Sequence, residues 1–185
     1  MIKDLLKDAE HRMRGAIKNL NDDMDSIRTG RAHPALVERL HVTYYDSPTP
    51  LNQLASISVP EPRSLMIKPY DAGVLKDIEK AIQASDLGLT PNSDGKVIHL
   101  NLPPLTEERR HDLVKQVHTR LEDARVAIRN IRRDSHNDMR DFEKEKLISE
   151  DDLKTGEDDL QKLTDELIEE VAELGRKKEA EIMEV

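Results

Sequence analysis

The stretch LVKQVHTRLEDARVAIRNIRRDSHNDMRDF, Leu113 to Phe142, decides the fold. Its apolar residues Leu113, Val117, Leu121, Ala124, Ile128, Ile131, Met139 and Phe142 recur at helical spacing, and the polar pair Ser135-His136 interrupts them. Gaps of three and four keep side chains on one face of an α-helix and scatter them over both faces of a strand, so this is a helix with one buried stripe. Upstream, Pro103-Pro104 cannot continue a helix, whereas Thr106 can cap one and Glu107-Glu108 place negative charge in its first turn. The helix expected from there runs for ~40 residues, roughly 60 Å.

Toward the C-terminus, Ser149 can cap the next helix while Asp152 reciprocates, a short-armed version of the capping box. Its stripe is Leu153, Gly156, Leu160, Leu163, Leu167, Val171 and Leu174. The turn before Ser149 is short, so these two helices are expected to be antiparallel neighbours. At the other end of the chain Ile2, Leu6, Ala9, Met13, Ile17, Leu20, Met24 and Ile27 form a third stripe, which Thr29-Gly30 and His33-Pro34 bring to a stop. Three striped helices bury one another as a bundle.

The intervening residues read differently. Seven of the nine prolines lie from Pro34 to Pro91, and the last two close the segment at Pro103-Pro104. Leu40–Tyr45, Ala55–Val59, Leu65–Pro69 and Val97–Leu102 alternate or cluster like strands, and Val74–Ala84 carries a helical stripe of Val74, Ile78, Ala81 and Ile82. The expected fold is therefore α+β: an elongated antiparallel three-helix bundle of residues 1–30 and 105–185, with a small β/α/β domain of residues 31–104 inserted. Two strands of chain join the domains, and Gly30, His33, Pro34, Pro103 and Pro104 are the expected hinge.

Composition excludes several classes of function. There is no cysteine, hence no disulfide, thiolate nucleophile or Cys-ligated zinc. No apolar run approaches the length of a membrane span, and Ile2–Met13 mixes charges unlike a signal peptide, so the expectation is a cytoplasmic protein without a membrane. The best metal-like spacing, His118 with Glu122, supplies only two ligands, and Asp151-Asp152 and Asp158-Asp159 lack the glycine of a calcium loop. No phosphate loop, dinucleotide fingerprint or nucleophile elbow is present. The expectation is no enzyme, no cofactor and no metal. Tyr44-Tyr45 reads either as packing or as a base-stacking platform, with packing favoured in a chain only 2% aromatic.

Charge is unevenly placed. Glu150 to Glu184 holds 14 acids against 5 bases, which equals the whole chain's net charge of −9. Ala124 to Arg133 holds four arginines and no acid. On the helical wheel Arg125, Arg129 and Arg132 lie together, with Arg133 and Arg140 adjacent. Arg129, Arg132 and Arg133 have no acid three or four residues away, and the like-charged pairs Arg125/Arg129 and Arg129/Arg133 oppose helix formation. Helix stability would not select this pattern, while guanidinium forks suit phosphate. Two readings stand: an anion-binding face, or arginines neutralised across the bundle by the acidic last helix. Arg28 and Arg31, at the end of the first helix, divide evenly between a basic spot and a dipole effect.

Six stretches in order carry a resemblance: IRTGRAHP (Ile27–Pro34), YYDSPTPLNQLASI (Tyr44–Ile57), ASDLGLTPNSDG (Ala84–Gly95), LPPLTEERR (Leu102–Arg110), RVAIRNIRRD (Arg125–Asp134) and SEDD (Ser149–Asp152). Over essentially its full length the chain resembles ribosome recycling factors. That resemblance implies an L-shaped, monomeric, non-enzymatic protein whose bundle binds large-subunit rRNA near the peptidyl-transferase region and an inter-subunit bridge. Elongation factor G with GTP then rotates the small domain and separates the subunits. It implies Arg132 as the central rRNA contact, with Arg28, Arg31, Arg129 and Arg133 in support and Arg109 and Arg110 at the margin; the helical wheel adds Arg125 to the expected rRNA-binding set. Asp46 stands where the family pattern has glycine, and His99 and Asn101 where it has arginine and proline. The competing reading is a coiled-coil-like adaptor that shares its helix stripes with another protein or a second copy.

Overall fold

The structure, a computed structural model, describes residues 1–184. In chain order the elements are helix α1 (Ile2–Ser26), strands β1 (His41–Tyr44) and β2 (Ser47–Pro50), the one-turn helix α2 (Leu51–Leu54), strands β3 (Ala55–Glu61) and β4 (Ser64–Pro69), helix α3 (Leu75–Ala84), strands β5 (Pro91–Ser93) and β6 (Ile98–Asn101), and helices α4 (Glu107–Lys144) and α5 (Glu150–Glu184). They form two compact units: Met1–Arg28 with Glu107–Glu184, and Thr29–Thr106.

In the larger unit α1, α4 and α5 pack along their stripes. Cross-helix pairs fix the directions. As residue numbers fall along α4 from His136 through Arg132 to His118, their partners on α5 rise from Glu157 through Gln161 to Glu179, so the two run antiparallel. Arg14 pairs with Glu170, and Ile2 lies against Gly156, which makes α1 parallel to α5. The buried line of α4 is Leu113, Val117, Leu121, Ala124, Ile128, Ser135 and Met139. Ser135 thus belongs to the stripe instead of breaking it, because a side chain this small fits where an apolar residue would; His136 stands beside it, half-buried, on Glu157.

The buried line of α5 is Gly156, Leu160, Thr164, Leu167, Val171, Gly175 and Ile182. Leu153, Leu163 and Leu174, expected in it, flank it half-buried. Thr164 is tolerated inside because its hydroxyl donates to the Leu160 carbonyl at 2.7 Å. Glycine weakens a helix by about 1 kcal/mol relative to alanine, so Gly175 needs a packing reason. A Cβ there would lie 2.4 Å from Leu121 Cδ1. The start of α5 carries the expected reciprocal cap: the Asp152 amide donates to Ser149 Oγ at 3.0 Å and the Ser149 amide to Asp152 Oδ2 at 3.1 Å.

The smaller unit holds a four-stranded antiparallel sheet in the order β3-β4-β6-β5 and a separate β1-β2 hairpin. Leu65 and Ile67 of β4, Ile98 and Leu100 of β6 and Ile78 and Ile82 of α3 form its core with Val37, Val42 and Leu51. Strands β2 and β5 escape a reading by pattern because Pro48, Pro50 and Pro91 sit in them; proline is tolerated where a strand has only one neighbour, as both do. The hairpin closes on Tyr44↔Ser47, which leaves Tyr45 and Asp46 as a two-residue loop with φ of 48° and 61°. Both residues are left-handed, as a type I′ turn requires, and aspartate adopts that conformation more readily than most non-glycine residues.

Thr29–Gly30 and Leu105–Thr106 go with the smaller unit rather than the bundle, for a packing reason. Gly30 has φ of +79° and lies so close to Leu105 that a Cβ would meet Leu105 Cγ at 3.0 Å. The Ala32 amide donates to Pro62 O at 2.7 Å and the Leu102 amide to Arg63 O at 2.8 Å, anchoring both connecting segments on the β3–β4 turn. Pro34 begins a 3-10 turn at Pro34–Leu36, capped by His33 Nδ1, which accepts from the Ala35 amide at 3.1 Å. Pro103 and Pro104 are exposed.

Three outcomes follow from these contacts. Gly175→Val should lower stability by about 1–3 kcal/mol through overpacking against Leu121, read as a fall in thermal midpoint by circular dichroism. Asp46→Gly should raise it by up to about 1 kcal/mol by relieving the left-handed loop. Hydrogen bonds from the Ser149 side chain and amide hold the Asp152 carboxyl below the ordinary aspartate value. A depressed carboxyl stabilises fully above its unfolded value and loses that contribution as pH falls through the folded one, so wild type and Asp152→Ala should converge in stability in acid and separate at neutral pH.

Candidate nucleic-acid interface

The burial of one stripe of α4 between its neighbours fixes where the helix's arginines point. On the flank beside α5, Arg129 Nη2 lies 2.6 Å from Glu122 Oε1 and Arg125 Nη1 3.6 Å from Glu122 Oε2. Arg129 therefore does meet an acid, seven residues back instead of three or four, because its side chain reaches across two turns. The Arg129 hydrogen bond, seconded by the charges of Arg129 and Arg125, holds the Glu122 carboxyl below the usual glutamate range. One carboxylate thus serves two guanidiniums.

Arg132 and Arg133 are placed differently. Arg132 Nη1 donates to the Gln161 side-chain oxygen at 2.9 Å, and the Gln161 amide nitrogen in turn donates to Asp165 Oδ1 at 2.8 Å. Arg133 Nη2 reaches Asn130 Oδ1 at 3.4 Å. Among the described residues neither arginine has a carboxylate within 4 Å; the nearby acid of α5, Glu157, is turned to His136 at 2.7 Å and Arg140 at 3.8 Å. Arg132 and Arg133 line an open cleft with His136, Glu157, Leu160 and Gln161. A neutral amide orients the Arg132 fork without cancelling its charge, and the remaining guanidinium N–H groups suit the oxygens of a phosphate.

A second cleft lies where α1 ends against α4, lined by Ser26, Ile27, Arg28, Arg109, Leu113, Gln116, Thr119 and Arg120. It brings Arg28 and Arg109 together with an arginine that the sequence reading passed over. Asp123, three residues on, makes Arg120 look like half of a helix ion pair, yet the two do not pair. The available signal was the eleven-residue step from Arg109, which returns a side chain to nearly the same helix face. Arg110 turns away: its Nη1 donates to Ile182 O at 2.8 Å and Met183 O at 2.9 Å, supplying donors to the last carbonyls of α5. Arg31 is exposed and belongs to the smaller unit.

The other sequence candidates separate cleanly. His118 pairs with Glu179 of α5, not with Glu122, and among the described residues no three histidine or acidic side chains converge as metal ligands. Tyr44 and Tyr45 meet edge to face at 4.4 Å; Tyr44 is half-buried against the small core, whereas Tyr45 is exposed, so the packing reading holds for the first alone. Among the described residues no helix is long and apolar enough to cross a membrane.

The ribosome recycling factor family model matches residues 20–183. The chain is 56% identical over 185 residues to the ribosome-recycling factor of Syntrophomonas wolfei, and 53% identical to that of Chloroflexus aurantiacus, with all of each chain covered in both cases. Among solved structures it is similar to a solution structure of the ribosome recycling factor, with a TM-score of 0.72, 43% identity, and 100% of this chain and 98% of that one covered. It is also similar to a chain in models of the T. thermophilus ribosome recycling factor and E. coli elongation factor G bound to the E. coli post-termination complex, with a TM-score of 0.63, 45% identity, and 99% of each chain covered. With this agreement in sequence and in fold along its whole length, the chain belongs to the ribosome recycling factor family.

Proposed function

We propose that this chain binds the post-termination ribosome through the arginines of α4 and, with elongation factor G and GTP, promotes its splitting into subunits with release of mRNA and tRNA. The observation that carries this reading is the state of Arg132 and Arg133. In a chain with 38 acids and 29 bases, these two guanidiniums keep a neutral side-chain partner each and, among the described residues, no carboxylate. Arg132 is the central contact to large-subunit rRNA near the peptidyl-transferase region and the inter-subunit bridge. Arg129, Arg133 and Arg125 flank it, and Arg28, Arg31 and Arg109 extend the contact. Arg110 orders the end of the bundle through α5 and contributes charge there.

The smaller unit is joined to the bundle by only two passages of chain, at Arg28–Thr29 and Thr106–Glu107. In this reading it pivots at those two passages, the expected hinge residues Gly30, His33, Pro34, Pro103 and Pro104 lie just inside the smaller unit and move with it, and elongation factor G drives the rotation. The chain acts as a monomer, needs no cofactor and cleaves nothing. The adaptor alternative loses its basis, since α1, α4 and α5 spend their stripes on one another.

Charge-assisted hydrogen bonds contribute about 1.5–3 kcal/mol each, so Arg132→Glu should weaken binding to large subunits roughly 10- to 150-fold and lower the salt slope by about one, with helicity unchanged. Unaltered affinity would defeat the assignment. Subunit release from post-termination ribosomes should require this chain, elongation factor G and GTP together, as light scattering or sucrose gradients would register; release without the chain at the same rate would remove the function.

A further inference from the structure

Arg28, Arg109 and Arg120 converge on one cleft, although Arg120 had acids available. Asp123 stands three residues ahead of it, and Asp23 lines the adjoining groove with it, yet neither lies within ion-pairing distance of its guanidinium. Arg28 is likewise exposed and without a carboxylate among the described residues. Two guanidiniums held in one cleft without a carboxylate, Arg28 and Arg120, raise the energy of the free protein, and an arriving anion relieves that cost. The cleft also offers the Gln116 side-chain amide, while the hydroxyls of Ser26 and Thr119 are already committed to the carbonyls of Asp23 and Lys115. Its donors are therefore almost wholly cationic, which suits a phosphodiester better than a neutral ligand.

The position of Arg120 separates this cleft from the one at Arg132. The twelve residues between them correspond to about 18 Å along α4 and about 120° around it. One lies on the flank beside the end of α1 and the other on the flank beside α5. A single phosphate cannot reach both.

We infer that Arg120, with Arg28 and Arg109, forms a second phosphodiester site on the α1 flank of α4 that holds a different rRNA segment from the one at Arg132. The inference rests on the proposed RNA binding of the bundle and adds to it a residue and a second point of attachment. Two sites this far apart act independently, so their free energies add.

The test compares Arg120→Glu, Arg120→Gln, Arg132→Glu and the Arg120→Glu/Arg132→Glu double variant in binding to purified large subunits over a potassium chloride series. Arg120→Gln removes the charge without setting a carboxylate beside Asp23 and Asp123, and circular dichroism verifies the fold of each. The expected result is a several-fold loss and a shallower salt slope for either Arg120 variant, with the double variant showing the product of the single losses. Because the chain has no cysteine, the variants Thr119→Cys and Asn130→Cys can each carry iron–EDTA at one position. Each should cut rRNA, at different nucleotides. Wild-type affinity and slope in both Arg120 variants, or no cleavage from position 119 where position 130 cuts, would overturn the second site and leave Arg132 standing. Wild-type affinity in Arg132→Glu as well would bring down the RNA reading itself.

Discussion

The bundle depends on how closely three long helices approach with almost no aromatic mass between them. Ala9, Ala124, Gly156, Gly175, Ser135 and Thr164 sit in its buried lines, and facing helices close on the two glycines, Ile2 and Met139 on Gly156 and Leu121 on Gly175. Burial of apolar surface supplies the driving force. The small residues determine how the helices rotate about their axes, and with that every side chain on their flanks is aimed. Arg132 reaches Gln161, and Arg28 meets the cleft of Arg120, because the stripe between them is committed to the core.

On that scaffold the charge pattern acquires meaning. The last helix carries the chain's entire net charge, so an arginine beside it would ordinarily find a carboxylate. Histidine and arginine at neighbouring positions take those acids: Glu157 goes to His136 and Arg140, Glu179 to His118, and Glu169 and Glu173 to Arg176. Arg132 meets an amide instead. A glutamine at position 161 orients without neutralising, which is the property a phosphate-gripping arginine needs before its partner arrives.

Much of this was legible in sequence, for reasons that differ by element. The three helices were plain because each repeats one periodicity over many turns, and the Ser149–Asp152 cap because its two groups lie three residues apart. Strands β2 and β5 were not, since proline conceals a strand that has only one neighbour. Thr164 and Gly175 are hidden by Leu163 and Leu174, the apolar residues one position before each, which the periodicity favours; the burial of the smaller residues follows from how near α4 comes, which no local pattern reports. The arginines were found by asking which lacked acids within one turn. That rule mistook Arg129, whose acid is two turns away, and passed over Arg120, whose neighbouring acid does not pair with it. Arg110 was grouped by motif with Arg109, and only the fold separates one that closes α5 from one that lines a cleft.

On this reading a phosphodiester completes the Arg132 guanidinium, which rests on the Gln161 amide in the free protein. Cryo-electron microscopy of this chain on the large ribosomal subunit tests it most directly. A phosphate oxygen is expected at about 2.7–2.9 Å from an Arg132 guanidinium nitrogen, the length of a charge-assisted hydrogen bond. An Arg132 still resting on Gln161 with no phosphate in reach, or bridged to a carboxylate of α5, would contradict it.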